Sequence, residues 1–209
     1  MEMTFTAGSA TLVDTLASRA DSSPLIRVGA VLFLAALTAA AAQISVPLPF
    51  TQVPFTFQPM VVLLGGLALG PRLGLASQAL YLLAGIAGLP VFAASTTLPP
   101  GALRLLGPTG GYLMAYPIAA FATGYLAERG FDRRYLTAVL AMLAGLLIVY
   151  ACGAAWLGVF ARTGTAAPIG LHAALVTGVY PFIAADLVKL LAAAGILPGF
   201  WLLLGRSRR

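Results

Sequence analysis

Asp186 and Lys189 are the two residues of this sequence best suited to chemistry. They lie within its last apolar stretch, and Lys189 is the only lysine of the chain. A charge at the centre of a bilayer costs about 2.5–3.5 kcal/mol on insertion scales, so intramembrane charges mark functional sites. Their spacing of three places both side chains on one helical face. Together they offer acceptors to the N–H groups of a ligand and donors to a carbonyl or carboxylate.

The same pair also has a structural interpretation, as an ion pair that faces the interior of a helix bundle. Desolvation of buried ion pairs can exceed their Coulombic gain, which favours a role in ligand or ion binding. Pro181, five residues before Asp186, predicts a kink that frees backbone carbonyls beside a cavity.

The composition indicates an all-α integral membrane protein. The 209 residues are 60% hydrophobic and 9% charged, with a mean hydropathy of +0.97. A spanning helix needs about 20 apolar residues, and the charged residues divide the chain into segments of about this length. We therefore predict six transmembrane helices, at 27–45, 58–71, 73–89, 109–127, 134–158 and 177–203.

The distribution of arginines predicts the orientation of these helices. With the N-terminus inside, nine arginines fall on the cytoplasmic side and only Arg104 and Arg162 fall outside. The net charge of +6 is thus explained by membrane topology, without a nucleic-acid partner. We expect a cytoplasmic tail at 1–24 that is not a signal peptide, one membrane domain at 25–205 and a basic cytoplasmic end at 206–209.

Few residues could support catalysis or bind a metal. His172 is the only histidine and Cys152 the only cysteine, so His-based triads, disulfides within the chain and the common metal sites are excluded. The segment Gly107-Pro-Thr-Gly-Gly lacks the Gly-Lys-Ser/Thr ending of a nucleotide-binding loop. We expect no cofactor and no enzymatic activity.

One loop on the predicted outer side carries distinctive residues. Segment 46–59 contains four prolines and three phenylalanines, which predicts a stiff, extended chain. It is either a rigid connector or a lid over a ligand cavity.

In the first predicted helix, small residues recur at a spacing of four, a pattern that allows close helix approach. These residues are Ala35, Ala39, Ala36 and Ala40.

Seven motifs between about residues 30 and 190 together resemble the BioY family, the biotin-binding S components of energy-coupling factor transporters. The motifs are Ala35-Ala-Leu-Thr-Ala-Ala-Ala-Ala-Gln-Ile-Ser-Val-Pro-Leu-Pro-Phe-Thr, Val53-Pro-Phe-Thr-Phe-Gln58, Leu69-Gly-Pro-Arg-Leu-Gly74, Tyr81-Leu-Leu-Ala-Gly-Ile-Ala-Gly-Leu-Pro-Val-Phe92, Gly107-Pro-Thr-Gly-Gly-Tyr112, Gly153-Ala-Ala-Trp156-Leu157 and Pro181-Phe-Ile-Ala-Ala-Asp186-Leu-Val-Lys189.

The resemblance implies six helices around a biotin pocket that outer loops cover. It implies that Asp186 accepts a ureido N–H, and that Lys189 donates either to the ureido oxygen or to the valerate carboxylate. Ser95, Thr96 or Thr97 would replace an amide contact found in relatives, and aromatic rings, with Phe50 a further candidate, would form the walls. The expected biotin site comprises Asp186, Lys189, Tyr112, Trp156, Phe55, Gln58, Phe92 and Thr96.

The resemblance also implies partners and a location. The partners are a transmembrane coupling subunit, which Ala35, Ala39, Ala36 and Ala40 would contact, and two ATPase subunits, since this chain has no Walker A sequence. The location is the cytoplasmic membrane of a bacterium or archaeon. The competing hypothesis is a proton-coupled or solitary secondary transporter for biotin or a related small vitamin, with Asp186 as the proton site.

Overall fold

A computed structural model describes residues 11–18, 23–95, 98–161 and 168–204 of the chain. The architecture is mostly helical, with one short β-hairpin. The helices are α1 Leu12–Ala17, α2 Ser23–Gln43, α3 Gln58–Leu69, α4 Pro71–Ile86, α5 Leu103–Leu106, α6 Gly110–Ala127, α7 Tyr135–Val159, α8 Leu171–Gly178, α9 Tyr180–Ala194 and α10 Ile196–Leu203; the antiparallel strands are β1 Ser45–Val46 and β2 Phe55–Thr56.

The first five predicted helices each coincide with one helix of the structure, namely α2, α3, α4, α6 and α7, with ends that differ by a few residues. The boundary between α3 and α4 shows why the sequence could locate these helices. Gly70 adopts a φ of 83°, a left-handed conformation that favours glycine, and Pro71 then begins α4. Local chemistry therefore fixes this turn.

The prediction of one continuous helix over 177–203 was confirmed only in part, since Tyr180–Leu203 is one apolar helical stretch with an interruption at Gly195. The structure breaks this segment after Gly178 and again at Gly195, which gives α8, α9 and α10. Pro181 lies in the first turn of α9 and Pro198 in the first turn of α10. Proline has no N–H to donate to the preceding turn, so each break falls where that donor is missing.

Three helical segments among the described residues are long and apolar enough to cross a membrane: Pro24–Gln43, Tyr135–Val159 and Tyr180–Leu203. Gln58–Leu69 is apolar but shorter.

Helix α6 occupies the centre of the bundle, between α3, α4 and α7. Glycines permit this packing. A Cβ on Gly66 would collide with the Thr123 side chain and the Ala120 backbone of α6, and a Cβ on Gly74 would lie 3.2 Å from the Cα of Gly66. Gly66 and Gly74 thus allow α3, α4 and α6 to approach one another closely.

A buried carboxyl holds α10 against the loop between α6 and α7. Asp132 is fully buried, and Trp201 Nε1 donates to its Oδ2 at 2.6 Å. Burial raises the pKa of Asp132 to about 6, although the Trp201 hydrogen bond and nearby Arg133 oppose that shift.

At the same end of the bundle, α1 packs against α2 and α3, and Asp14 pairs with Arg27 at 3.2 Å.

Candidate functional site

A cavity of about 360 Å³ lies at the hairpin end of the bundle. Its walls come from the hairpin and its loop, the start of α3, residues 92–95, Leu98, Arg104, the start of α6, the middle of α7, the end of α8 and the first part of α9. The volume falls within the range of small-molecule sites, about 300–1,000 Å³. Mostly apolar walls with few polar groups are typical of such sites.

Asp186 lines this cavity and is 6% exposed. Its two carboxylate oxygens have different partners: Lys189 Nζ lies 2.5 Å from Oδ1, and the Tyr150 hydroxyl donates to Oδ2 at 2.5 Å. Each oxygen has further lone pairs, so the carboxylate is fixed in place and can still accept from a ligand.

Lys189 is occupied by the protein itself. Besides Asp186, its Nζ donates to the Thr56 carbonyl at 2.7 Å and lies 4.1 Å from the centroid of the Phe55 ring. An ammonium has three protons, of which Asp186 and the Thr56 carbonyl accept two, while the Phe55 ring attracts its charge. Lys189 thereby joins α9 to strand β2 of the hairpin. Lys189 itself is not among the described residues that line the cavity.

The cavity brings together most of the residues expected from the sequence. Phe55, Gln58, Phe92, Tyr112 and Asp186 line it. Thr96 lies outside the described residues.

Trp156 and Phe50 are not among the described residues that line the cavity. Trp156 Nε1 donates to the Gly107 carbonyl at 3.0 Å, and its ring packs where a Cβ on Gly111 would be. Trp156 therefore supports the turn before α6, whose Pro108 and Thr109 do line the cavity. Phe50 is 60% exposed.

Tyr112 is held in place by two glycines and one hydrogen bond. Its ring fills the space beside Gly153, where a Cβ would collide with it, and its hydroxyl donates to the Gly178 carbonyl at 2.7 Å. This bond ties α6 to the end of α8, next to the break that precedes α9. Tyr112 thus shapes the wall from which Asp186 projects.

Two polar residues that the sequence did not lead us to expect in the site, Arg104 and Tyr150, also line the cavity. Arg104 lines the cavity although it is only 8% exposed, and its Nε has no hydrogen-bond partner. Burial lowers the pKa of the Arg104 guanidinium, and the nearby Tyr81 opposes that shift. The available signal was its position, an arginine predicted outside and three residues before Gly107.

The alanines of α2 divide between two faces. Ala35 is buried and Ala39 is half-buried, while Ala36 and Ala40 are exposed. Of the two small-residue pairs, Ala36 and Ala40 lie on the surface of this chain.

Comparison with known proteins gives a consistent result. The family model described as the BioY family matches residues 15–206. The chain belongs to the BioY family. A probable biotin transporter BioY of Pyrococcus horikoshii is 43% identical over 162 residues, which cover 78% of this chain and 88% of the relative. A biotin transporter BioY of Thermotoga maritima is 38% identical over 159 residues, covering 76% of this chain and 86% of that protein.

A solved structure resembles this BioY chain in fold. It is the crystal structure of the S-component for biotin from an ECF-type ABC transporter, with a TM-score of 0.73 and 24% sequence identity. The match covers 87% of this chain and 93% of the solved one. The helical arrangement described above is therefore shared with that S-component.

Proposed function

We propose that this protein is a membrane-embedded biotin-binding subunit that captures biotin and mediates its uptake. The observation that carries the proposal is the cavity itself. It combines apolar and aromatic walls with Asp186, Gln58 and Arg104, in a chain of the BioY family. Relatives in that family are named biotin transporters.

The charges suggest the orientation of the ligand. Biotin has a ureido group at one end, with two N–H donors and a carbonyl, and a carboxylate at the other. Asp186 attracts the N–H donors and repels the carboxylate. Arg104 attracts the carboxylate, because a buried guanidinium with an unpaired Nε gains a charge-assisted bond from it. The N-terminus of α6 also favours an anion, and its Pro108 and Thr109 line the same cavity.

Of the two roles expected for Lys189, this orientation favours the ureido end. Lys189 is bonded to Asp186, so it lies near the ureido ring, and Arg104 takes the carboxylate. In this arrangement the ammonium of Lys189 offsets the charge of Asp186 and donates to the ureido oxygen if the Thr56 contact lengthens.

We propose further that the chain spans the membrane six times with both termini in the cytoplasm. The arginine distribution supports this topology, and α9 and α10 together form the last span. The shorter helices α3 and α4 are joined by the tight Gly70–Pro71 turn, which supports a pair of short spans accommodated by local bilayer thinning. The archaeal and bacterial sources of the relatives favour the cytoplasmic membrane.

The proposed partners are a transmembrane coupling subunit and two ATPase subunits. Ala36 and Ala40 support a docking surface on α2, since both are exposed and one helical turn apart. In this arrangement the energy for uptake comes from the partners.

Calorimetry on the purified protein in detergent, without ATP, tests the binding function. A preformed cavity needs no energy source, so we expect saturable binding of biotin at micromolar concentration or below. Asp186→Asn should weaken it, whereas the control Glu128→Gln, at the opposite end of α6, should not. Absence of saturation with folded protein would overturn the proposal.

Uptake by cells distinguishes coupling to ATPases from coupling to protons. An uncoupler that dissipates the proton gradient while ATP is maintained should leave uptake intact. Loss of uptake under these conditions would support the proton-coupled alternative.

A further inference from the structure

Gln58 and Tyr81 form a buried hydrogen-bonded chain beside the cavity. Gln58 Nε2 donates to the Tyr81 hydroxyl at 2.7 Å, and that hydroxyl donates to the Val91 carbonyl at 3.2 Å. Gln58 is 3% exposed and lines the cavity, whereas Tyr81 is 1% exposed and lies behind it. These two hydrogen bonds connect the start of α3, the middle of α4 and the segment after α4.

Packing fixes the position of the Tyr81 ring. It meets the Phe92 ring edge to face, with centroids 5.5 Å apart. Phe92 in turn fills the space beside Gly85, where a Cβ would collide with its ring. The hydroxyl of Tyr81 is therefore held at one point between its two partners.

The single proton of a phenol decides how Gln58 is oriented. Because the hydroxyl donates that proton to Val91, it can only accept from Gln58. The amide nitrogen of Gln58 must then face Tyr81, and Oε1 must face away from it. This oxygen accepts no hydrogen bond within the described residues, and Gln58 lines the cavity.

We propose that Tyr81 is a positioning residue for ligand selectivity. It orients the carboxamide of Gln58 so that an acceptor, and not a donor, faces the ligand. This inference rests on the proposed biotin site. Gln58 Oε1 then accepts one ureido N–H and Asp186 accepts the other, so the cavity selects ligands that carry two N–H donors at this end.

The consequence of losing Tyr81 Oη follows from the geometry. In Tyr81→Phe the carboxamide has no fixed partner and can turn its nitrogen toward the ligand. A ligand N–H would then face an N–H. A biotin derivative methylated on that nitrogen has no N–H there, so the variant should bind it about as well as biotin.

The test measures equilibrium binding of biotin, N1′-methylbiotin and N3′-methylbiotin to the purified full-length protein. Wild type should bind both methyl derivatives more weakly than biotin. In Tyr81→Phe, biotin should bind about tenfold more weakly, the scale of one neutral hydrogen bond. Discrimination against one methyl isomer should largely disappear, while discrimination against the other, which reports on Asp186, should persist. The matched control is Tyr125→Phe, since Tyr125 is 45% exposed and outside the cavity lining.

The outcomes separate the two proposals. Wild type that fails to bind biotin contradicts the proposed function. Wild type that binds, together with a folded Tyr81→Phe that keeps both discriminations, overturns the positioning role, because a merely structural tyrosine would weaken all three ligands equally.

Two variants of Gln58 decide the matter if Tyr81→Phe does not fold. Gln58→Glu presents an oxygen to the ligand in either orientation and should keep the discrimination, and Gln58→Leu should lose it for the same isomer. The opposite pattern overturns the inference.

Discussion

Breaking the Asp186–Lys189 pair one residue at a time, and then together, distinguishes a ligand-binding pair from a structural one. Asp186→Asn keeps an oxygen for Tyr150 but turns an amide N–H₂ toward Lys189. Lys189→Met removes the donor to Asp186 and to the Thr56 carbonyl while keeping most of the side-chain volume. Both residues are at most 9% exposed, so each single change leaves a buried charge without its partner.

The expected losses follow from this burial. Removing one partner of a buried pair costs about 3–5 kcal/mol of stability. At about 2–4 °C per kcal/mol for a chain of this size, a loss of 3 kcal/mol lowers the melting temperature by about 6–12 °C. Loss of a charge-assisted hydrogen bond to biotin costs a further 1.5–3 kcal/mol in binding, or about 10- to 150-fold in Kd.

The double variant is the informative one. Asp186→Asn with Lys189→Met has no unpaired charge, so its melting temperature should recover most of the loss of the single variants. Its biotin affinity should stay low, because the ligand contacts are gone. Melting in detergent and calorimetry on the same preparations give both quantities.

The exposed pair Asp14–Arg27 provides the control. Its side chains are 32% and 48% exposed, so Asp14→Asn with Arg27→Gln should change stability by less than about 1 kcal/mol and leave biotin binding unchanged. Recovery of both stability and biotin binding in the Asp186/Lys189 double variant would refute the ligand assignment and leave a structural ion pair.

Three further predictions concern other parts of the molecule. Arg104→Gln should weaken biotin by about 1.5–3 kcal/mol but have much less effect on biotin methyl ester, which lacks the carboxylate; Arg72→Gln, an exposed arginine, is the control, and equal losses for both ligands would contradict the assignment. Because burial raises the pKa of Asp132 from 3.8 to about 6, the folded protein binds more protons than the unfolded chain between these values, so its stability should fall by up to about 3 kcal/mol from pH 4 to pH 6. Melting curves of Asp132→Asn should lack this slope, and an unchanged slope would assign it to another group. Replacing Pro49 and Pro54 with glycine should loosen the hairpin loop and accelerate biotin release in stopped-flow measurements, since a rigid segment loses less entropy on closing; unchanged release would identify the loop as a connector.

The sequence by itself determined the helical segments and one polar pair. Uninterrupted apolar runs between charged residues located five helices to within a few residues, because hydropathy and turn chemistry act locally. Asp186 and Lys189 could be singled out because a charge within an apolar segment needs a partner wherever it lies. Pro181 predicted a kink, but the interruptions at Val179 and Gly195 depended on how the missing donors of Pro181 and Pro198 are accommodated in the folded chain.

Only the tertiary structure decided what surrounds that pair. Tyr150 lies 36 residues from Asp186, and the Thr56 carbonyl lies 133 residues from Lys189. No periodicity in the sequence specifies such contacts, since a hydrophobic pattern defines which face of a helix is apolar but not which distant residue meets it.

The same limit explains the different fates of Trp156 and Arg104. An aromatic residue in a motif has the same pattern whether it lines a cavity or supports a turn, and Trp156 supports the turn at Gly107. An arginine in an outer loop has the same pattern whether it faces water or protein. Arg104 lines the cavity because α5 packs against α6, and this packing is a property of the whole bundle rather than of any one segment.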